Sequence, residues 1–114
     1  MINRVLVAGK LTESPRTTTT PNGIPLVVLI LEVRHPRWTD EVPDVCSVEV
    51  HAVGEKRAEV LVRYMEKGRD LMVEGQLREH GGKLHIALDR FHFMERGLSA
   101  RYLWAEAYRE NAAA

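Results

Sequence analysis

The sequence predicts an all-β fold: a small five-stranded Greek-key barrel with one helix between its third and fourth strands. Three observations carry that prediction. Five stretches are strand-like, at Asn3–Leu11, Ile24–Val33, Val45–Val53, Leu71–Arg78 and Leu84–Met94. One stripe of helical period, Ala58, Leu61, Val62 and Met65, falls between the third and the fourth. The connections are short, and a glycine stands inside two of the strands, Gly9 and Gly75.

The first strand sets Val5, Val7 and Gly9 on one side and Leu6 and Ala8 on the other. A glycine there marks a bulge or a close backbone approach. Thr17–Thr20 is polar and β-prone, and Thr20-Pro21-Asn22-Gly23 places Pro, Asn and Gly where a tight turn needs them. Ile24–Val33 is apolar on both faces, so one face lines a barrel and the other needs cover, most simply from a second subunit. His35–Asp44 holds Pro36, Pro43 and mixed charge and reads as a loop.

In the third strand Cys46, Val48, Val50 and Ala52 share one face, and Ser47, Glu49 and His51 the other. The helix that follows is about three turns long, with Gly68 as its stop. Lys56 and Arg57 alternate with Glu55 and Glu59 on its solvated side. Leu71, Val73, Gly75 and Leu77 give the core stripe of the fourth strand. Gly81-Gly82 makes a two-residue hairpin turn, and Leu84, Ile86 and Leu88 give the stripe of the fifth. Phe91 and Phe93 then fall on the opposite face, with His85 and Ala87. Three strands, a helix and two strands is the element order of an OB-fold. A barrel domain over residues 1–96 and an amphipathic helix within 97–114 are expected. Ala100, Leu103, Trp104, Ala107 and Tyr108 form the apolar face of that helix, behind a Ser99 cap.

At 114 residues the chain has the length of one domain, which removes roughly 65% of its unfolded surface from water. Sixteen basic and sixteen acidic side chains cancel, so any attraction to nucleic acid must come from a local basic patch. The run Ile24–Leu31 is too short to cross a bilayer, and Met1-Ile2-Asn3-Arg4 passes straight into a strand rather than a signal peptide. A single Cys46 points to a reducing, cytoplasmic setting. The five histidines show no metal-ligand spacing, Cys46 has no adjacent base, and no glycine-rich phosphate loop precedes a helix. Neither an enzyme nor a bound cofactor is expected.

Asn3, Arg4, Gly9, Leu11, Pro15, Thr20, Pro21 and Gly23, with Gly54–Glu59, Tyr64–Gly68 and Val73–Leu77, make the chain resemble the bacterial single-stranded DNA-binding proteins. The likeness spans roughly the first four-fifths of the sequence. Without the acidic, apolar tip of that family's tail, the chain is also similar to its dimeric primosomal replication protein N branch. The resemblance implies an oligomer that holds single-stranded DNA, or RNA, by stacking bases on exposed aromatics and pairing phosphates with Lys and Arg. Replication, repair or fork-restart proteins would be its partners. Trp38 stands where the family presents a stacking ring, and Arg34, Arg37, Arg78 and Lys83 would form the phosphate track. Other stacking positions are lost: Val45-Cys46-Ser47 and Ala52-Val53 occupy them, and the hairpin is cut to Glu79-His80-Gly81-Gly82. An OB-fold interaction subunit that has lost nucleic-acid binding is the rival reading.

Overall fold

The structure, a computed structural model, describes residues 1–34 and 44–94. Six strands and one helix follow in the order β1 (Val5–Leu11), β2 (Arg16–Thr19), β3 (Pro25–Arg34), β4 (Val45–Val53), α1 (Glu55–Tyr64), β5 (Asp70–His80) and β6 (Lys83–Phe93). Neighbours in the sheet run β1-β5-β6-β4-β3-β2, and a further β1–β3 pairing closes the first five of these into a barrel. The short threonine-rich β2 lies outside that circuit, as a hairpin partner of β3. The expected five-stranded barrel with an inserted helix is therefore present, with one extra strand at its edge. The helix expected near 99–109 lies outside the described residues, as do Arg37 and Trp38.

All strand pairs are antiparallel except β4–β6, a parallel seam that registers Val50 with Ile86 and His51 with Ala87. Period-two alternation sends Val27, Leu29 and Leu31 of β3 inward, with Val50 and Ala52 of β4 and Leu71 and Val73 of β5. All seven are essentially inaccessible to water, and Leu61 of α1 and Met65 just beyond it plug the barrel. The other face of β3 is half-buried: Leu26 stands between Thr18 and Val53, and Val28 between Arg16 and His51.

Closing so small a barrel requires strands to cross closely. A Cβ on Gly9 would stand 2.5 Å from the Glu32 carbonyl oxygen, and one on Gly75 would run into the Ala87 carbonyl. Gly9 thus serves a close approach rather than a bulge, since the β1–β5 register runs unbroken from Val5 to Lys10. Asn3 prolongs that register, its Nδ2 donating to the Leu77 carbonyl at 2.9 Å and its Oδ1 accepting from the Leu77 N–H at 2.8 Å. The Thr20–Gly23 turn forms as expected, with the Gly23 N–H donating to the Thr20 carbonyl at 2.8 Å.

Four expectations need correction. A bulge at Asp89 shifts the register, so that Glu74 faces Arg90 but Gly75 faces Leu88. Beyond it Phe91 and Phe93 oppose Val73 and Leu71 on the barrel-lining side, not on the face of His85 and Ala87. Arg57 is no free surface cation: it donates to the Leu88 carbonyl at 2.6 Å and the Asp89 carbonyl at 2.8 Å, satisfying backbone groups at the bulge. The helix ends at Tyr64, with Met65 already extended, and its Val62 is 47% exposed. Finally, Leu77, Leu84 and Cys46 follow the inward alternation yet are exposed, because strand ends outrun the barrel they line.

Candidate nucleic-acid interface

The outward-facing residues of β2, β3, β4, β6 and β5 form one continuous wall. Arg16 of β2 is in register with Val28 of β3, and Val28 with His51 of β4. Across the parallel seam His51 meets Ala87 of β6, whose outward row continues to His85 and Lys83. Arg78 of β5 faces His85, and His80 faces Lys83 across the hairpin. These residues come from five strands that are consecutive in the sheet, so the strand order, with its parallel β4–β6 seam, brings them together.

At the centre of the wall the rings of His51 and His85 stack, with centroids 3.9 Å apart and planes 16° from parallel. His51 Nε2 lies 2.8 Å from Glu49 Oε1. That hydrogen bond is the main reason the Glu49 carboxyl titrates below its ordinary value. Burial opposes it, and the charges of His51, Arg16 and Lys83 reinforce it. The His85 imidazole is also pushed below its ordinary value, first by burial and then by the neighbouring charge of His51. Glu49 pulls it the other way, while His80 and Arg78 add to the depression. The wall is thus a cationic and imidazole surface in a chain of zero net charge, with Glu49 as an acid set among the bases.

Arg78 and Lys83 are brought together around His85. Arg34 is exposed at the last position of β3, opposite Val45, its Nε 4.0 Å from Glu32 Oε1. It lies six positions along the strand from Val28, which is roughly 20 Å. Because β6 runs parallel to β4, its Lys83 end points the same way as the Val45 end of β4, and therefore toward Arg34. Arg16, His51 and His85 extend the expected set. The available signal was their outward parity on strands that an OB-fold makes neighbours.

The bulge also removes two rings from this wall. Phe91, Phe93 and Tyr64 instead form an edge-on cluster beside α1, with Phe91–Phe93 centroids 5.4 Å apart and Tyr64–Phe93 centroids 5.9 Å apart. The Arg63 guanidinium lies 5.6 Å from the Tyr64 ring centre. Tyr64 is 52% exposed there and Phe93 41%. Among the described residues no group of three His, Cys, Asp or Glu side chains is placed to hold a metal ion. No described helix is long and apolar enough to cross a membrane.

Residues 2–83 match the model of the single-strand binding protein family. Over 78 residues the chain is 31% identical to a protein named single-stranded DNA-binding protein from Halalkalibacterium halodurans. That alignment covers 68% of this chain and 46% of the relative, so the match reaches about half the relative's length. The matched family region takes in the barrel from β1 to the hairpin, and with it Arg16, Arg34, His51, Arg78 and Lys83.

Proposed function

Since the chain belongs to the single-strand binding protein family, we propose that it binds single-stranded DNA with little sequence preference, without catalysis. The carrying observation is the outer wall, where Arg16, Arg78 and Lys83 surround the imidazole pair in a chain of zero net charge. Arg34, Arg37, Arg78 and Lys83 pair with phosphates, and Trp38 stacks on a base. The setting is cytoplasmic replication, repair or fork restart, the last being the role of the primosomal branch. Assembly into a homodimer or homotetramer would lengthen the path of the strand.

Filter binding of an oligothymidylate across a salt series tests this reading. Affinity should fall with salt at a slope of about −0.7 per phosphate paired. Absence of binding at low salt sinks the proposal. Trp38→Ala should weaken binding by roughly 1–3 kcal/mol, the worth of one stacked base. Parallel titrations with oligouridylate read the choice between DNA and RNA.

A second reading, an interaction subunit, is favoured by the adjoining half-exposed rings of Tyr64 and Phe93 and by the exposed Val62. Deleting 97–114 separates the two. Under that reading the deletion abolishes assembly or partner capture, while DNA affinity is absent or unchanged.

A further inference from the structure

We propose that the stacked His51–His85 pair is a phosphodiester subsite that takes up a proton when the nucleic-acid strand arrives, making binding tighter in mild acid. The inference deepens the single-strand binding reading and rests on it. Two imidazoles lie face to face at 3.9 Å on the outer wall, each half-buried. In that geometry both rings cannot be charged without bringing like charges into contact. The groups facing the pair are Glu49 of β4, Arg16 of β2, whose Nε is paired with Glu13 Oε1 at 3.0 Å, Arg78 and His80 of β5 and Lys83 of β6, while β3 contributes the neutral Val28. Cations therefore dominate the rim and disfavour a further positive charge. The depressed titration of His85 agrees with this.

A phosphodiester reverses that balance. Its single negative charge is drawn by Arg16, Arg78 and Lys83 to the wall that holds the pair. There an imidazolium N–H can donate a charge-assisted hydrogen bond to a phosphate oxygen. The proton comes from solvent and remains on the imidazole while the strand is bound. By linkage, a site that binds more protons when occupied gains affinity as pH falls. Trp38 supplies sequence-blind stacking, and the histidine pair supplies a charge that exists only in the complex.

The test uses a labelled oligothymidylate, whose bases do not titrate in the range needed, with the full chain at fixed low salt from pH 8.5 to 5.5. Affinity should rise as pH falls, by up to about tenfold per pH unit for one proton taken up. Calorimetry at pH 6.5 in two buffers of different ionisation enthalpy counts that proton on the unaltered protein. The His51→Gln/His85→Gln double variant should lose more than half of the pH slope, and His85→Gln alone serves if the double variant does not fold. His92→Gln, at the far end of β6, should keep the slope. Binding that is indifferent to pH, zero proton uptake, or a slope retained without the two imidazoles overturns the subsite and leaves single-strand binding standing. Failure to bind at any pH overturns both.

Discussion

The two faces of one barrel wall have opposite chemistry, although they alternate along the same strands. Inward, Val27, Leu29, Val50, Ala52 and Ile86 are sealed from water. Outward, a single residue away, stand His51, His85 and Glu49, with Arg78 and Lys83 further along the same rows. The inner row tolerates little change because interiors pack at near-crystalline density, and every lost methylene leaves a void. The outer row is held in place by that packing yet adds little to it. The contrast teaches that stability and ligand contact are separable here by parity alone.

The strongest challenge to that separation comes from the inside. Gly75→Val pushes a branched side chain into the Ala87 carbonyl, a backbone group that cannot swing away, and should abolish the cooperative unfolding transition in circular dichroism. Leu61→Ala, which empties the plug under the barrel, should cost about 2–5 kcal/mol in chemical denaturation. The folded fraction of Leu61→Ala should bind oligothymidylate as the parent does. A comparable loss of affinity would show that the two faces are coupled.

Outer-row changes should do the reverse. Arg78→Ala and Lys83→Ala should leave the denaturation midpoint nearly unmoved, since both side chains are exposed. Each should make the salt dependence of binding shallower by about 0.7 if it pairs with one phosphate. An unchanged slope in both variants removes them from the contact.

The smallest expected effect is the dependence of stability on acid. Unfolded His85 takes its proton near its ordinary pKa of 6.5, and the folded barrel lowers that value. Between the two values the unfolded chain holds more protons. Stability that is full above pH 6.5 therefore declines as pH falls through the lowered pKa. Glu49, also lowered, adds a second decline that starts from its ordinary 4.5. Denaturation midpoints at pH 8, 6 and 4 read both steps, and His85→Gln should erase the first. A midpoint that rises on acidification would contradict the sign.

Part of the inner row was legible because alternation is local: Leu71, Val73, Ile86 and Leu88 follow from counting by two, whereas in β3, apolar on both faces, counting does not say that Val27, Leu29 and Leu31 turn inward. Counting failed at Asp89, because an inserted residue in a strand leaves no mark on composition, and Phe91 and Phe93 changed sides with it. It failed again at Leu77, Leu84 and Cys46, since alternation does not say where a strand leaves the barrel. Arg57 was read as a surface cation because its acceptors, the Leu88 and Asp89 carbonyls, lie more than thirty residues away. The outer wall was harder still. Arg78 and Lys83 were legible as neighbours across a hairpin, but His51 and His85 meet only through the parallel β4–β6 register, which no local pattern encodes.

That seam has a mechanical consequence. Val50–Ile86 and His51–Ala87 are its registered pairs, whereas β3 and β4 are joined from Leu26–Val53 to Arg34–Val45. The ring of strands is therefore thinly fastened where the imidazoles stack, as it is at the β1–β3 closure with its Lys10–Glu32 and Leu11–Leu31 pairs, and amide exchange by transient opening should be fastest at these two seams. A nucleic-acid strand lying from Arg16 across to Arg78 would bridge the gap like a strap over a buckle, so occupancy and closure of the ring would rise together.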